Sequence, residues 1–399
     1  MRAAPLLACL CILAGPAAAQ SPPPVTAPFR IHAVAKGIGQ GYQALVTDMN
    51  HDGRPDIIAL GLTAGTLAWY ENPGWTPHVI TTTATTPKMV ILDAADIDGD
   101  GIPEIALAYD FNANPTRSAG SIAILHHDGD PRGPWKIWRA IDRVPATHRL
   151  AFADVDGSGR LALAAAPILN AKSTGFADPG HLPTPLMIYR PQNGWRPEVV
   201  TRANRGVVHG LHAFDWFGDG RQELFTQGYS GVYMHMWRGG RWRRTLLVPG
   251  NVAPWPKGGA SDMAAGWLHG RRFFVTIEPF HGNMVAVYTP DGHGGYARNV
   301  IETGLKNGHA LTLVDVDGDG VPEIVAGGNG SPTSMYFYKA TDAGARHWRR
   351  MQMDNDMAPA SCVTADITGT GHHNDVVCQD MRPPYWLKWY EYTGPYMAR

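Results

Sequence analysis

The stretch DVDGDGVPEI, Asp315 to Ile324, places acidic side chains at alternate positions and a further acid four residues after the third. A degenerate copy, GWLHGRRFF from Gly266, fills a double-length gap in the series of such stretches, and the other copies begin at Asp48, Asp96, Asp154, Asp215 and Asp366. Self-similarity at a spacing of about 50 to 60 residues is typical of propeller blades. The sequence therefore predicts seven repeated units.

Each unit carries strand signals in the same order around its acidic turn. In the unit of Asp315, an apolar strand A (LTLVDV) precedes the turn, strand B (EIVAGG) follows it, and strand C (MYFYK) alternates with aromatic residues. A fourth strand D usually begins at an aromatic residue and carries basic side chains, as in WRRTLLV. Four short strands per repeat, separated by turn residues, predict an all-β, seven-bladed β-propeller.

The two ends of the repeat region predict how the ring closes. The last unit has strands A, B and C (361–366, 375–379 and 386–392) but no strand D. The segment FRIHAV, Phe29 to Val34, resembles an isolated strand D. Its pairing with the last blade would leave no open sheet edge. We therefore expect one propeller domain over residues 29–399.

The N-terminal segment predicts export. Residues 1–19 combine Arg2, an apolar run and the small residues Ala17 to Ala19, which is the pattern of a secretory signal peptide, and residues 20–28 form a proline-rich lead-in. We expect a secreted or periplasmic protein. No later segment is apolar for long enough to span a bilayer, and a net charge of −1 gives no basic excess for nucleic acid. A monomer or loosely associated state is expected.

Two cysteines remain after the signal peptide. Cys362 lies four residues before Asp366 and Cys378 lies twelve after it. A turn centred on Gly369 and Thr370 would bring the two positions opposite each other on strands A and B, close enough for a disulfide. The alternative is a pair of buried free thiols.

The acidic turns and the blade pattern resemble the FG-GAP/VCBS-type repeat propellers, secreted proteins with a DxDGDGxxE turn in each blade. The resemblance covers the chain from Phe29 onwards. It implies the fold and the turn chemistry, and it points to no single activity. Propellers of this kind include integrin heads, adhesion proteins, some polysaccharide lyases and the propeller of aldos-2-ulose dehydratase. The unit of Gly266 departs from the motif, so we expect it to lack the turn ligands.

The complete acidic turns are candidate calcium sites, because several carboxylates at alternate positions can surround one hard cation. The alternative is that Asp-Gly is simply favourable turn chemistry. Either role is structural. The predicted ligands are Asp48, Asn50, Asp52 and Asp56, then Asp96, Asp98, Asp100 and Glu104, then Asp315, Asp317, Asp319 and Glu323.

The working surface is expected on the opposite face, where the D–A and B–C loops differ most between blades. The position six residues before each motif holds Tyr42 and three histidines, and we expect it to ring a water-filled channel mouth beside strand-B partners fourteen residues after the motif begins. The candidate catalytic residues are Tyr42, Asp110, His148, His209, Tyr229, His309 and Asp380. The candidate substrate-binding residues are Trp255, Glu278, His281 and Asn329.

These residue types support two functions. Histidine and tyrosine can act as general base and acid, which favours a carbohydrate lyase or dehydratase that works by proton abstraction and elimination. Three imidazoles could instead bind a divalent transition metal, or the repeated Gly-His could be a scaffold feature in which each histidine bonds the backbone of a neighbouring blade. The second function is a non-catalytic carbohydrate- or protein-binding propeller, so the sequence leaves open whether the protein is an enzyme.

Overall fold

The computed structural model describes residues 26–176, 182–372 and 374–396. The predicted signal peptide and most of the proline-rich lead-in lie outside the described residues. In the described part, 28 strands and two short 3-10 turns, Pro115–Arg117 and Pro191–Asn193, make up the regular structure. None of its helical segments has the length and apolar character that crossing a membrane requires.

The strands form seven four-stranded antiparallel sheets, one for each blade. The first strand, β1 (Phe29–Lys36), belongs to the last blade. The other strands follow in chain order, four to a blade: blade 1, β2 (Gly41–Thr47), β3 (Asp56–Gly61), β4 (Thr66–Glu71), β5 (Thr76–Thr82); blade 2, β6 (Ile91–Ala95), β7 (Glu104–Tyr109), β8 (Ser121–His127), β9 (Trp135–Asp142); blade 3, β10 (Thr147–Ala153), β11 (Ala162–Pro167), β12 (Pro183–Tyr189), β13 (Pro197–Arg205); blade 4, β14 (Val208–Phe214), β15 (Glu223–Gly228), β16 (Gly231–Arg238), β17 (Arg241–Val248); blade 5, β18 (Asp262–Leu268), β19 (Arg271–Glu278), β20 (Met284–Pro290), β21 (Tyr296–Glu302); blade 6, β22 (Gly308–Val314), β23 (Glu323–Gly328), β24 (Ser334–Ala340), β25 (Trp348–Asp354); blade 7, β26 (Pro359–Ala365), β27 (Asp375–Asp380), β28 (Trp386–Tyr392). The predicted seven-bladed β-propeller is confirmed.

Ring closure is also confirmed. Strand β1 pairs antiparallel with β28, from Phe29 opposite Tyr392 to Lys36 opposite Trp386, and so forms the outer strand of blade 7. In the same blade Cys362 on β26 lies directly opposite Cys378 on β27, and the two form a disulfide. The cysteine spacing therefore predicted the register of this hairpin correctly.

The hydrophobic core lies between neighbouring sheets. One cluster joins Val325 and Phe337 of blade 6 to Cys378 and Tyr390 of blade 7. A buried polar contact crosses the same boundary, because Asp354 at the end of β25 accepts hydrogen bonds from Lys388 and Tyr390, each at 2.9 Å. Apolar burial and this paired charge together hold one blade against the next.

Blade 5 turns without an acidic loop. Strands β18 and β19 are joined by His269 and Gly270 alone, with φ of 49° and 73°. Positive φ at both central residues is the geometry of a two-residue type I′ hairpin, which glycine favours. The acidic residues of the complete motif are not needed for such a turn, which agrees with the predicted departure of this blade from the pattern.

The inner strand of five blades carries a β-bulge at the position that the sequence singled out. In blade 6, Gly308 pairs with Gly328 and Ala310 with Gly327, so His309 has no residue directly opposite it. The same shift leaves out Tyr42, His148, His209 and Ala360. The predicted partners fourteen residues after each motif are therefore wrong by about one position, because an extra residue in strand A breaks the regular register.

Candidate functional site

Bulges in blades 1, 3, 4 and 6, and the loop between β19 and β20 of blade 5, bring side chains from five blades together in the channel. We call the set formed by Tyr42, His148, His209, His281 and His309 the channel cluster. The ring centroids of His209 lie 5.0 Å from those of His148, 4.8 Å from His281 and 5.4 Å from His309. Tyr42 lies 5.7 Å from both His148 and His309. The structure thus brings together residues that are up to 267 positions apart in sequence, from Tyr42 to His309.

Three of these histidines could share one metal ion. His209, His281 and His309 each offer a ring nitrogen, and these atoms lie within 4.8 Å of one another. The Nε2 atoms of His209 and His281 are 3.1 Å apart. Blades 4, 5 and 6 supply the three side chains, and these blades are consecutive in the ring.

The outer nitrogens of two of these rings are held by backbone carbonyls of the next blade. His209 Nδ1 lies 3.0 Å from the carbonyl oxygen of Ser261, and His309 Nδ1 lies 2.6 Å from that of Ala360. A carbonyl only accepts, so each neutral ring carries its proton on Nδ1 and has a lone pair on Nε2. This is the arrangement by which histidine ligands are oriented for metals. It is also the contact expected if these histidines belong to the scaffold and bond the backbone of a neighbouring blade, an alternative that the sequence left open.

His148 takes the opposite tautomer. The guanidinium of Arg149 lies beside it, with Nη1 at 2.9 Å from His148 Nδ1. Because arginine only donates, His148 Nδ1 must accept, and the proton of the neutral ring is on Nε2. That Nε2 is hydrogen-bonded to the hydroxyl of Tyr42. His148 Nε2–H therefore donates to the Tyr42 oxygen and orients the Tyr42 hydroxyl in the channel.

The cluster histidines are buried, which corrects the expectation that they stand in water at an open mouth. His148, His209 and His309 are 3%, 1% and 4% exposed. Burial lowers the pKa of His148 and His209 well below the usual value, and the positive charge of Arg149 lowers both further. The pKa of His309 falls to about 4, also through burial first and Arg149 second. All three rings are therefore neutral at neutral pH, as metal ligands and proton acceptors must be.

A cavity of 330 Å³ opens beside the cluster along the channel axis. Tyr42, Arg149 and His309 contribute to its wall, together with Asp93 and Asp262. Its size suits a small polar ligand rather than a polymer segment of many units.

An aromatic cover closes the channel next to the cluster. Tyr229 packs edge-on against Trp255 with ring centroids 4.3 Å apart and lies 5.5 Å from Phe280. Phe280 in turn lies 5.1 Å from His209. The Trp255 ring lies so close to Gly206 that a Cβ there would be 1.9 Å from Cη2. This packing makes Trp255 an anchor of its loop and places Tyr229 beside the cluster rather than in it.

Four other candidates do not join the cluster. Glu278 is fully buried in blade 5, where it accepts hydrogen bonds from Thr276, Tyr288 and Arg298. Asp380 accepts from the backbone N–H groups of Ala358 and Arg382, each at 3.1 Å. Asn329 bonds the side chain of Asn307, and Asp110 lies 3.4 Å from Lys88 Nζ. Their observed contacts are those of loop and sheet supports.

The acidic turns fold around their own backbone. Asp48 Oδ2 accepts from Gly53 N at 2.8 Å, and Asp96 Oδ2 accepts from Gly101 N at 3.0 Å. The acid at the ninth position is buried and also bonds backbone, as Glu104 does with Ile97 N at 3.0 Å. These hydrogen bonds hold the turn in its conformation without a cation. The predicted carboxylates nevertheless stay grouped in blades 2 and 6, where Asp96, Asp98 and Glu104, and Asp315, Asp317 and Glu323, offer oxygens within 4.8 Å of one another.

A different side chain of strand C lies beside each of the three complete acidic turns. In blade 1 Glu71 adds a fourth acid and accepts from Asn50 Nδ2 at 3.1 Å. In blade 2 His126 Nδ1 lies 3.0 Å from Glu104 Oε1. In blade 6 the ammonium of Lys339 lies 2.8 Å from Glu323 Oε1 and also contacts Asp317. The turn with the most complete motif thus already holds a cation of the protein itself.

Sequence reasoning missed Arg149, Ser261 and Lys339. Arg149 follows His148, and regular alternation would point the two side chains to opposite faces. The bulge between Thr147 and Arg149 breaks that alternation and lets both enter the channel. Lys339 could have been found, because the pairing of Ile324 with Tyr338 places the next residue of strand C beside Glu323.

Comparison with known protein families agrees with this architecture. Residues 48–107 match the model of the FG-GAP-like repeat, and residues 119–291 match the model of the aldos-2-ulose dehydratase β-propeller domain. The resemblance inferred from the acidic turns is confirmed. The second match spans His148, His209 and His281, so it covers much of the channel cluster.

A curated relative gives the same result over a longer range. The aldos-2-ulose dehydratase of Phanerodontia chrysosporium is 25% identical over 345 residues, which is 77% of this chain. The alignment covers 37% of that protein, so this chain spans little more than a third of its length.

Solved structures share the fold. A lectin from Agrocybe aegerita, described for specific recognition of non-reducing terminal N-acetylglucosamine, superposes with a TM-score of 0.51 at 16% identity, covering 88% of this chain and 85% of the lectin. The BBS1N chain from its complex with ARL6DN superposes with a TM-score of 0.54 at 10% identity, covering 94% of this chain and 100% of that one. At these identities the likeness concerns the fold alone.

Proposed function

We propose that the protein is an exported carbohydrate-active enzyme that removes water from a sugar by elimination next to a carbonyl group. The observation that carries the proposal is the His148–Tyr42 pair beside three converging imidazoles in one channel. A relative named aldos-2-ulose dehydratase, similar over most of this chain, supports the reaction class. Similarity of fold alone would not support a reaction class, because β-propellers serve many functions.

The three imidazoles fit a divalent transition metal such as zinc. His209, His281 and His309 are neutral nitrogen donors, and the rings of His209 and His309 are oriented by carbonyls. Three protein ligands with a further open position are typical of catalytic rather than structural zinc. When bound, such an ion supplies a Lewis acid that polarises a sugar carbonyl.

The chain itself supplies the proton transfer. In the proposed elimination, the Tyr42 oxygen, held by the His148 Nε2–H donor, takes the proton of the carbon next to the carbonyl as Tyr42 gives its own hydroxyl proton to the hydroxyl on the following carbon. A carbon–carbon double bond forms, and that hydroxyl leaves as water. The pair ends in its starting protonation state. Burial raises the pKa of Tyr42, so its hydroxyl keeps a proton to donate at neutral pH. The aromatic cover keeps bulk water from the reacting carbons.

The test is turnover of 2-keto sugars by the purified protein, followed by the absorbance of the conjugated product and by NMR. Tyr42→Phe and His148→Gln should each lower the rate by about 10²–10⁴-fold. His347→Gln is the matched control, since that side chain is 77% exposed and lies in a blade 6 loop. Sugar binding with no turnover in the wild-type protein would favour the non-catalytic alternative instead.

We propose a separate structural role for calcium in the acidic turns of blades 1 and 2. Blade 1 offers Asp48, Asn50 and Asp52 as oxygen donors, while Glu71 beside them is paired with Arg132. Blade 2 offers Asp96, Asp98 and Glu104, whose oxygens lie within 4.8 Å of one another. In blade 6, Lys339 neutralises the equivalent carboxylates, and there calcium must displace an ammonium group. Calcium would thus stabilise some blades and leave the channel chemistry untouched.

A further inference from the structure

Arg149 places a positive charge in the channel, where it interacts at a distance with the carboxylate of Asp262 but makes no direct ion pair among the described residues. Its Nη1 donates to His148 Nδ1 at 2.9 Å and to the carbonyl oxygen of His148 at 3.0 Å. Its Nη2 lies 3.5 Å from His209 Nε2. Each of these partners is neutral, so the guanidinium makes hydrogen bonds but no ion pair with them.

The carboxylates nearest to Arg149 along the channel wall are engaged elsewhere. Asp262 is hydrogen-bonded to His212 Nε2, and Asp93 accepts from Phe152 N at 2.6 Å. Burial raises the pKa of Asp93 to about 6. No carboxylate among the described residues lies within 4.0 Å of the Arg149 side-chain nitrogens. A half-buried charge without a counter-ion is costly, so a ligand that supplies one is favoured.

The edge of the guanidinium formed by Nε and Nη2 can also bind an anion. Its hydrogen bonds to His148 and His209 use Nη1 and Nη2, and among the described residues no acceptor is bonded to Nε. The Nε and Nη2 donors lie side by side and match the two oxygens of a carboxylate. Arg149 lines the 330 Å³ cavity together with Tyr42 and His309, so a ligand there meets the guanidinium and the cluster at once.

We infer that the channel cluster takes an acidic sugar, a uronate or related sugar acid, whose carboxylate is bound by Arg149. The inference rests on the proposed function, because it takes the cluster as the substrate site. It adds a substrate class and a specificity-determining residue. The three imidazoles and a divalent ion would carry no negative charge of their own, which makes an anionic ligand more favourable still.

The test compares sugars that differ only at carbon 6. Calorimetric titration of the whole protein should show galacturonate and glucuronate binding at least tenfold more tightly than galactose and glucose at low salt. Arg149→Gln should abolish that preference, whereas Arg149→Lys should keep part of it because the charge remains. Arg346→Gln is the matched control, since that side chain is 78% exposed. Thermal melting of each variant shows whether it is folded, and Arg149→Lys provides the comparison if Arg149→Gln is not.

The outcomes separate the two proposals. Equal affinity for acidic and neutral sugars, or a preference that survives in Arg149→Gln, would overturn this inference. If neutral keto sugars are nevertheless converted and Tyr42→Phe abolishes conversion, the proposed function stands alone. If uronates bind through Arg149 but no sugar is converted, the inference stands and the elimination is rejected. Failure to bind either class overturns both.

Discussion

His209 and His281 face each other with their Nε2 atoms 3.1 Å apart, although they belong to different blades. The first ring has its proton on Nδ1, held by the Ser261 carbonyl, so its Nε2 lone pair points toward the second ring. Either His281 donates a hydrogen bond across this gap, or both nitrogens bind one ion. The two arrangements differ in metal content and can be told apart directly.

We expect the protein purified from metal-containing medium to hold about one equivalent of a divalent transition metal, lost in His209→Ala and His281→Ala. Elemental analysis measures the content, and cobalt substitution gives a visible spectrum that reports tetrahedral nitrogen ligands. His347→Ala is the control. Wild-type protein that binds neither zinc nor cobalt would leave the His281 hydrogen bond as the correct description.

Removal of the His309 side chain should destabilise the fold as well as the site. His309→Ala leaves the Ala360 carbonyl without its 2.6 Å partner, and both residues are buried. An unsatisfied buried acceptor costs about 1–3 kcal/mol. Urea unfolding should show this loss, and His309→Asn, which retains a donor, should recover part of it. Unchanged unfolding of His309→Ala would show that water replaces the imidazole there.

Chelation of calcium should lower the melting temperature, and Lys339 should determine which blade responds. Lys339→Met removes the ammonium beside Asp317 and Glu323, so blade 6 should gain a calcium site and the melting temperature should rise with added calcium by more than in the wild type. Asp52→Ala should reduce the wild-type response. If Lys339→Met binds no additional calcium, the blade 6 turn depends on backbone bonds alone.

Acid should destabilise the protein partly through His235 in blade 4. Burial first, and the positive charge of Arg244 second, lower its pKa to about 3. Below a pH of about 6.5 the unfolded chain gains a proton that the folded chain does not, so stability falls as pH decreases from about 6.5 to about 3, by at most about 1.4 kcal/mol per pH unit.

His235→Gln should therefore flatten the acid side of the stability profile between these values, measured by urea unfolding at stepped pH. The amide can still bond Thr226 Oγ1, which lies 2.9 Å from His235 Nε2. His347→Gln should leave the profile as it is. A profile of His235→Gln that runs parallel to the wild type would assign the acid sensitivity to other groups.

The sequence predicted the architecture well because the same acidic turn recurs in six of the seven units. Six acidic turns at a common spacing fixed the blade count, and Cys362 and Cys378 fixed one hairpin register. The channel was predicted less well, because a bulge is a local departure from the strand period and leaves no periodic signal. It moved Arg149 to the same side as His148, and it removed the expected facing of His309 and Asn329.

The second source of error in the predicted site was the burial of its side chains, which the sequence did not reveal. The repeated histidines were expected in water, but the aromatic cover of Tyr229, Trp255 and Phe280 and the narrow spacing of seven inner strands exclude it. Glu278 looked like a site residue from its neighbours in sequence, yet Arg298, from a strand twenty residues later, neutralises it within the blade. The burial of the histidines and the pairing of Glu278 both depend on contacts between residues that are distant in sequence.

Apart from the chain that leads on to blade 1, only noncovalent contacts hold the outer strand of blade 7 in place, including the hydrogen bond from Ala27 N to the carbonyl oxygen of Gln352. Strand β1 pairs with β28, while the disulfide joins β26 to β27 and does not hold β1 in place. Residues 29–36 could therefore detach and be replaced by the same segment of a second molecule. Strand exchange between molecules at high concentration would give domain-swapped dimers that retain every blade. A synthetic peptide of this segment should likewise restore a chain that begins after Gly37.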